Sequence, residues 1–411
     1  MDDVPDWLNP EFVLKVLKKA ENDKSIEIKE MAMNPATAKG DNYTSQMVRI
    51  SLEYSGTKDG QKYDEKKTII VKIAPYTEGV HKDLVEKVGL FDTEIKMMET
   101  TLKKMNELTK KLGHRLSADV LYTQIGDPSL LVIEDLSPYG FRMADRLAGL
   151  DLQHCILALR GLGRFHASSI AVYEKDFKNG TVPYNKGMFN RKHPDEMKRF
   201  FTLGMRALGT EILNWSELGP ARVEYSEKLL KLADHSYDKA ADTMILKEDE
   251  FNVINHGDFW VNNMLFRYND ENKVLDHMFV DFQMCSYTSP AIDLLYFLNT
   301  SISPDVDLNH RDTILKEYLN TLKESMSKFG CETRPPTMAD LKKSLSEREF
   351  YGILSACTIS PVVLVEKSEA KSLDEIMLPD GGYDNPGYRS PLFRQIMVKK
   401  IPEWASRNLF D

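Results

Sequence analysis

Apolar and polar positions alternate in short runs near the start of the chain and later give way to helical spacing. Ile26 and Ile28, then Met47, Val48, Ile50, Leu52 and Tyr54, then Thr68 to Val71 with Ile73, are β-prone. They predict three strands of an antiparallel sheet between Ser25 and Ala74. Ahead of them, Asn9-Pro10-Glu11 predicts a helix start, because asparagine caps free N–H groups and proline suits the first turn; the helix is expected to run to about Ala20. The turn-rich stretch Ser55 to Gly60 predicts a hairpin tip.

From Leu90 to Leu112 the period changes, with Phe91, Ile95, Met98, Leu102, Met105 and Leu108 three or four residues apart. This predicts a helix with one face packed on the sheet. Strands are expected at Asp119–Thr123 and Leu130–Glu134, followed by a turn at Ser137-Pro138-Tyr139-Gly140. Helices then dominate: Leu152–Tyr173, pieces across Asp195–Lys247, Pro290–Ser301, Asp312–Phe329 and Met338–Ala356. Only Phe251–Tyr268 and Val274–Phe282 read as strands with their loops. The fold class is α+β. An N-terminal part over 1–136 is built mainly of antiparallel sheet, a hinge lies at 134–138, and a larger, mainly helical part covers 139–411.

Composition narrows this little. At 411 residues the chain exceeds the size at which one core stops growing, which agrees with two packed lobes. Hydrophobic residues at 42% and charged residues at 28% are ordinary for a folded globular protein. The net charge of -9, with no basic stripe interleaved with aromatics, argues against nucleic acid as a partner. No run approaches the roughly 18 apolar residues of a membrane span. The start, MDDVPDWLNPEF, is acidic where a secretory leader is basic, so a cytoplasmic location is expected. Cys155, Cys285, Cys331 and Cys357 are scattered without a Cys-x-x-Cys pair and read as reduced, largely buried thiols.

Functional polar residues are densest in Asn255-His256-Gly257-Asp258-Phe259-Trp260-Val261-Asn262-Asn263, followed by Phe279-Val280-Asp281-Phe282-Gln283. Carboxylates wedged between β-prone segments need partners or a cation, since burying them bare costs several kcal/mol. Transfer of a phosphoryl group to an alcohol requires a carboxylate that orients the hydroxyl and takes its proton, and an Asn and an Asp that hold Mg2+ against the phosphates. Asp258 and Asn263 stand five residues apart, the kinase step from base to metal-binding Asn, and Asp281 at the end of the next strand completes the metal pair. Upstream, Lys72 is a lone lysine in Ile69-Ile70-Val71-Lys72-Ile73 and suits ATP phosphates, with Glu94 on the following helix to hold it. The loop from Lys39 to Ser45 lies where a phosphate-covering loop belongs. Taken singly, Asp258 could close a turn, Lys72 could reach out from a sheet edge and Glu94 could face solvent; His256 and His166 read as structural histidines. Order and spacing together favour the assembled site.

The chain resembles the ecdysteroid kinase-like family, within the wider choline kinase and aminoglycoside phosphotransferase relatives. The resemblance rests on Val4-Pro5-Asp6-Trp7-Leu8, Gly40-Asp41-Asn42-Tyr43-Thr44-Ser45, Val132-Ile133-Glu134-Asp135-Leu136, His256-Gly257-Asp258-Phe259-Trp260-Val261-Asn262-Asn263, Val280-Asp281-Phe282-Gln283 and Ser289-Pro290-Ala291-Ile292-Asp293-Leu294-Leu295-Tyr296-Phe297. It implies a bilobal protein-kinase-like fold with an αC-like helix, ATP and Mg2+ as cofactors, and a small-molecule alcohol acceptor such as an ecdysteroid. It also implies Gly40, Asn42 and Ser45 in the nucleotide loop, adenine against the backbone from Glu134 to Leu136, and Asp293 bracing the Asp258 loop. Gln283 in place of the glycine after Asp-Phe, and no Ala-Pro-Glu segment, disfavour a phosphorylation-switched protein kinase. Two competing readings are a silent nucleotide-dependent steroid binder and a kinase of choline or aminoglycoside type.

Overall fold

The computed structural model describes residues 4–37, 45–75, 79–178, 180–378 and 380–411. Its N-terminal part is a five-stranded antiparallel sheet, order β1-β2-β3-β5-β4, made of β1 (Glu27–Pro35), β2 (Gln46–Lys58), β3 (Gln61–Ile73), β4 (Val120–Gln124) and β5 (Leu130–Glu134). Pairing of β2 with β3 continues to Lys58 opposite Gln61. The hairpin tip is therefore Asp59-Gly60 alone, not the whole stretch from Ser55. Both residues have positive φ, 52° and 80°, as a tight turn matched to strand twist requires.

Residues alternate across this sheet. Ile69, Val71 and Ile73 join Val48, Ile50, Val132 and helix α1 (Pro10–Ala20) in a small core on one face. Asn9 caps α1, its Oδ1 accepting the Phe12 N–H at 3.1 Å. Ile70 and Lys72 turn to the opposite face and line a cleft. The single helix predicted from Leu90 to Leu112 is interrupted. An additional α2 (Val80–Val88) precedes it and stops at Gly89, whose φ of 71° favours glycine. Then α3 (Leu90–Lys96) passes through a π-turn at Met97–Thr101 into α4 (Leu102–Lys110).

Beyond Gly140 helices predominate around one continuous core: α5 (Leu152–Val172), α6 (Asp195–Glu211), α7 (Arg222–Thr243), α8 (Ala291–Thr300), α9 (Pro304–Asn309), α10 (Arg311–Phe329), α11 (Met338–Glu347) and α12 (Glu349–Thr358). The helix predicted across Met338–Ala356 is thus two, separated at Arg348. Of the further strands, β6 (Phe141–Met143), β8 (Met264–Tyr268) and β9 (Val274–Phe279) form a three-stranded antiparallel sheet, order β6-β8-β9, and β7 (Val253–Asn255) pairs with β10 (Ser286–Thr288). Neither β6 nor β10 falls in a predicted strand; at three residues each, alternation has no length in which to register. The chain is therefore mixed α+β with antiparallel sheets. Cys155, Cys285 and Cys357 are buried, Cys331 is half-buried and none is disulfide-bonded. Among the described residues no helix is long and apolar enough to cross a membrane.

Candidate active site

The chain leaves β7 at Asn255, runs through a loop and a 3-10 turn at Val261–Asn263, and enters β8. Asp293, in the first turn of α8, pins this loop. Its carboxylate accepts the His256 N–H at 2.7 Å, the Gly257 N–H at 2.8 Å and His166 Nε2 at 3.0 Å. Asp293 is fully buried, so these donors and the helix N-terminus are what make its charge tolerable there. Gly257 has φ of 83°, and a Cβ on it would stand 1.8 Å from the Met284 carbonyl; only glycine fits. His256 uses both ring nitrogens structurally: Nε2 donates to the Val280 carbonyl at 3.0 Å and Nδ1 accepts the Asp258 N–H at 3.4 Å. Burial holds this imidazole below its ordinary pKa, which keeps it neutral.

Asp258 is 9% exposed. Tyr296 Oη donates to its Oδ1 at 2.8 Å, and Asn263 Nδ2 donates to its Oδ2 and to its backbone carbonyl, both at 2.9 Å. Burial, with the Asp281 carboxylate adding to it and these hydrogen bonds opposing it, pushes the Asp258 carboxyl up to about 7. Because the Asn263 NH2 is spent on Asp258, the group Asn263 can offer elsewhere is its carbonyl oxygen.

Lys72 and Asp281 are 209 residues apart in sequence, yet Lys72 Nζ donates to Asp281 Oδ1 at 2.7 Å and to Glu94 Oε2 at 2.7 Å. Lys72 is 3% exposed. Burial by itself would lower its pKa, but the Asp281 and Glu94 carboxylates reverse that and keep the ammonium charged. Burial pushes Glu94 up, with Lys72 only partly offsetting it. Glu94 Oε1 also accepts the Phe282 N–H at 3.3 Å. Asp281 is held at φ of 70°, a conformation unusual for a residue with a side chain, and Gln283 Nε2 donates to its Oδ2 at 3.3 Å.

Lys72, Glu94, Asn263 and Asp281 line a cleft of about 290 Å3 with Glu134 and Leu136. Asp258 does not line it and is reached through Asn263. The Glu134 side chain is turned to Arg115, 2.5 Å from Nη2, and its N–H donates to the Asp119 carbonyl at 3.0 Å. The Leu136 carbonyl accepts the Tyr139 and Phe141 N–H groups, so its own N–H is what it can offer a ligand. Ser45 is half-buried just before β2 and is not among the cleft-lining residues. Gly40 and Asn42 lie outside the described residues.

Sequence reasoning missed the partners that hold these groups. Tyr296 is three residues after Asp293 on α8 and so shares its inward face, a spacing that could have flagged it. Arg49, paired through Nε with Asp135 Oδ2 at 2.8 Å, and Gln283 are the others.

The donor set fits a hard divalent cation bound together with a polyphosphate. Glu94 and Asp281 are two carboxylates sharing one ammonium, that of Lys72, so the buried charge is short of a cation. Asp281 and the Asn263 carbonyl supply oxygen donors of the type Mg2+ takes, with the remaining positions left to phosphate and water. Among the described residues no three His, Cys, Asp or Glu side chains gather as a self-sufficient metal site.

None of the curated proteins matches the chain. Among solved structures it is similar to a protein provisionally assigned as a fructosamine-3-kinase from Haemophilus somnus 129PT, at 13% identity and a TM-score of 0.34, over 83% of this chain and 96% of that one. Residues 39–331, well over half of the sequence, match the ecdysteroid kinase-like family, and the chain therefore belongs to that family.

Proposed function

We propose that this protein is an ATP-dependent small-molecule kinase that phosphorylates a hydroxyl group of a lipophilic acceptor, ecdysteroid-like in character. The observation that carries the reading is the Lys72 ammonium, bonded at once to Glu94 and to Asp281 on the wall of one cleft, with Asn263 tying Asp258 to the same wall. In this reading the fold is bilobal and protein-kinase-like, with 1–136 as the nucleotide lobe, the hinge at 134–138 and 139–411 as the acceptor lobe. The helical stretch holding Glu94 then corresponds to αC.

Bound Mg2+ and ATP would supply an electrophilic γ-phosphoryl group with its charge neutralised. Asn263 and Asp281 are the residues that would hold the metal, and Lys72 the residue for the α- and β-phosphates. Glu94 keeps Lys72 in place. Gly40, Asn42 and Ser45 belong to the loop over the phosphates, and the backbone of Glu134 and Leu136 faces adenine. Asp258 orients the acceptor hydroxyl and accepts its proton as the new O–P bond forms and the bond to the ADP leaving group breaks. A carboxyl near neutrality is well matched to that task. Tyr296 and Asn263 fix the Asp258 carboxylate, and Asp293 fixes the loop carrying it.

The test is Asp258→Asn, assayed by mass spectrometry of ecdysteroid, choline and aminoglycoside acceptors incubated with ATP and Mg2+. Product formation should fall by about 10²- to 10⁴-fold, while the thermal shift produced by ATP with Mg2+ persists. Turnover near the wild-type rate in the variant would overturn the assignment of Asp258. A nucleotide shift in the wild type without a phosphorylated product on any acceptor would favour the silent binder.

A further inference from the structure

A second cavity lies behind the cleft and shares Phe279 with it. It has a volume of about 160 Å3 and is enclosed by β9, α5 and the segment between α4 and β4. His114, Arg160 and Arg164 also line an adjoining pocket of about 320 Å3 against α10.

One guanidinium at this cavity stands without an ion-pair partner among the described residues. Arg160 and Arg164 are four residues apart on α5 and so share a face. Arg160 Nε is committed to Glu317 at 2.7 Å, and Arg115 Nη2 to Glu134 at 2.5 Å and to Asp119 at 3.4 Å. Glu324 is paired with Lys328 at 2.6 Å and Asp276 with Arg267 at 3.3 Å. Each of these carboxylates thus already has a cation. Arg164 has no hydrogen-bond or ion-pair partner among the described residues; Asp276 and Glu324 act on it only at a distance.

His277 points to a ligand independently of that count. It lines the cavity, is 7% exposed, and neither ring nitrogen has a hydrogen-bond partner among the described residues. A buried polar group left so costs about 1–3 kcal/mol. Gly161 makes room for the ring: a Cβ there would stand 2.6 Å from Nδ1, so Nδ1 faces the helix, and Nε2 is the other ring nitrogen without a partner. Burial, with His256 and Arg164 adding to it, pushes the imidazole down to about 3, so it is neutral at physiological pH. An oxyanion in the cavity would reverse that field.

We propose that this cavity binds a small oxyanion of the phosphate class, either the free ion or the head of a phosphomonoester, with Arg164 as its main cation and His277 and His114 as further donors. The reading does not depend on the kinase assignment. An unpaired half-buried guanidinium, a neutral imidazole with no partner and a glycine-made recess converge on one small space, and nothing in the nucleotide site calls for them.

The experiment titrates the full-length protein with inorganic phosphate and, separately, with phenyl phosphate in an oxyanion-free buffer, following thermal shift and the 31P signal. The nucleotide cleft can also attract phosphate, so Lys72→Met serves as its control. Saturable binding should survive in Lys72→Met, weaken about tenfold or more in Arg164→Gln, and largely return in Arg164→Lys, as expected for loss of a charge-assisted hydrogen bond. In the wild type, phosphate should also raise the titration midpoint of His277, read by histidine hydrogen exchange. This readout stands even if Arg164→Gln folds poorly. Binding of both ligands marks a phosphomonoester site, and binding of inorganic phosphate alone a free-ion site. Loss of binding in Lys72→Met, undiminished binding in Arg164→Gln, or a His277 midpoint unmoved by either ligand would overturn the proposal.

Discussion

The cleft and the cavity behind it stand on either side of Phe279, and Arg115 in one wall is paired with Glu134 in the other. Their buried charges err in opposite directions. On the cleft side, Glu94 and Asp281 share a single ammonium, that of Lys72, and the Asp281 charge also bears on the buried Asp258 carboxyl that Asn263 holds. On the far side the carboxylates each have a cation and Arg164 has no partner, next to an imidazole pushed down by burial and further by Arg164. Uncompensated charge in a protein interior is costly whichever sign it has, so each excess describes what is missing. The first asks for a cation, which in the proposed reading arrives with the nucleotide, and the second for an anion. One wall of aromatic and hydrogen-bonded groups keeps the two fields apart.

Of the ways to break this contrast, Asp258→Asn has the largest expected effect: it removes the buried carboxyl that Asn263 ties to the cleft and, with it, the proposed proton acceptor. If catalysis survives, the negative excess is structural and the comparison loses its meaning. Next comes Asp293→Ala, which strikes the frame and not the cleft. The His256 and Gly257 N–H groups and the His166 ring would be left buried without their acceptor. Removing one partner from a buried charged network costs about 3–5 kcal/mol, to be measured by urea denaturation. Asp293→Asn should recover part of that loss. An Ala variant as stable as the wild type would mean that the loop is held by its flanking strands instead.

These residues were not equally legible in the sequence. Asp258, Asn263 and Asp281 stand out because polar groups between β-prone runs are anomalous wherever they occur, and Lys72 stands out for the same reason in β3. What the sequence supplied in β3 was a β-prone run holding one lysine; that Ile69, Val71 and Ile73 face one way and Ile70 and Lys72 the other is seen only in the structure. Tyr296 was hidden, since a tyrosine in an apolar helix reads as core until the direction of Asp293 is known. The break at Gly89, the π-turn at Met97–Thr101 and the ends of β6 and β10 depend on contacts made across the fold. The back cavity could not be read at all: Arg164 and His277 matter there through partners they lack, and a missing partner leaves no mark in a linear pattern.

The third prediction uses pH. A carboxyl at about 7 in the folded chain, against an unfolded value near 3.9, binds its proton more tightly when folded. Its contribution favours folding at low pH and is lost as pH rises from about 4 through 7, by up to about 4 kcal/mol in the absence of a cation. Other buried carboxylates work the opposite way: Asp135, for example, is held below its ordinary value by Ser137 and Arg49 against the pull of burial. The contribution must therefore be isolated as a difference. The melting temperature of Asp258→Asn minus that of the wild type should grow between pH 5 and pH 8, and the growth should shrink once ATP and Mg2+ are added. A flat difference curve would show that Asp258 carries no excess charge.

The smallest expected effect belongs to Arg164→Gln without any added anion, and it sharpens the contrast most. Removing a surplus cation from beside His277 should leave stability unchanged or raise it by about 0.5 kcal/mol, because half-buried charge without a partner stabilises little. The same change should let the His277 midpoint rise, since Arg164 is one of the groups that depress it. Calorimetry and histidine exchange read the two effects separately. A clear loss of stability in the phosphate-free variant would mean that Arg164 is already satisfied by Asp276 and Glu324, and the far side of the wall would then be neutral instead of positive.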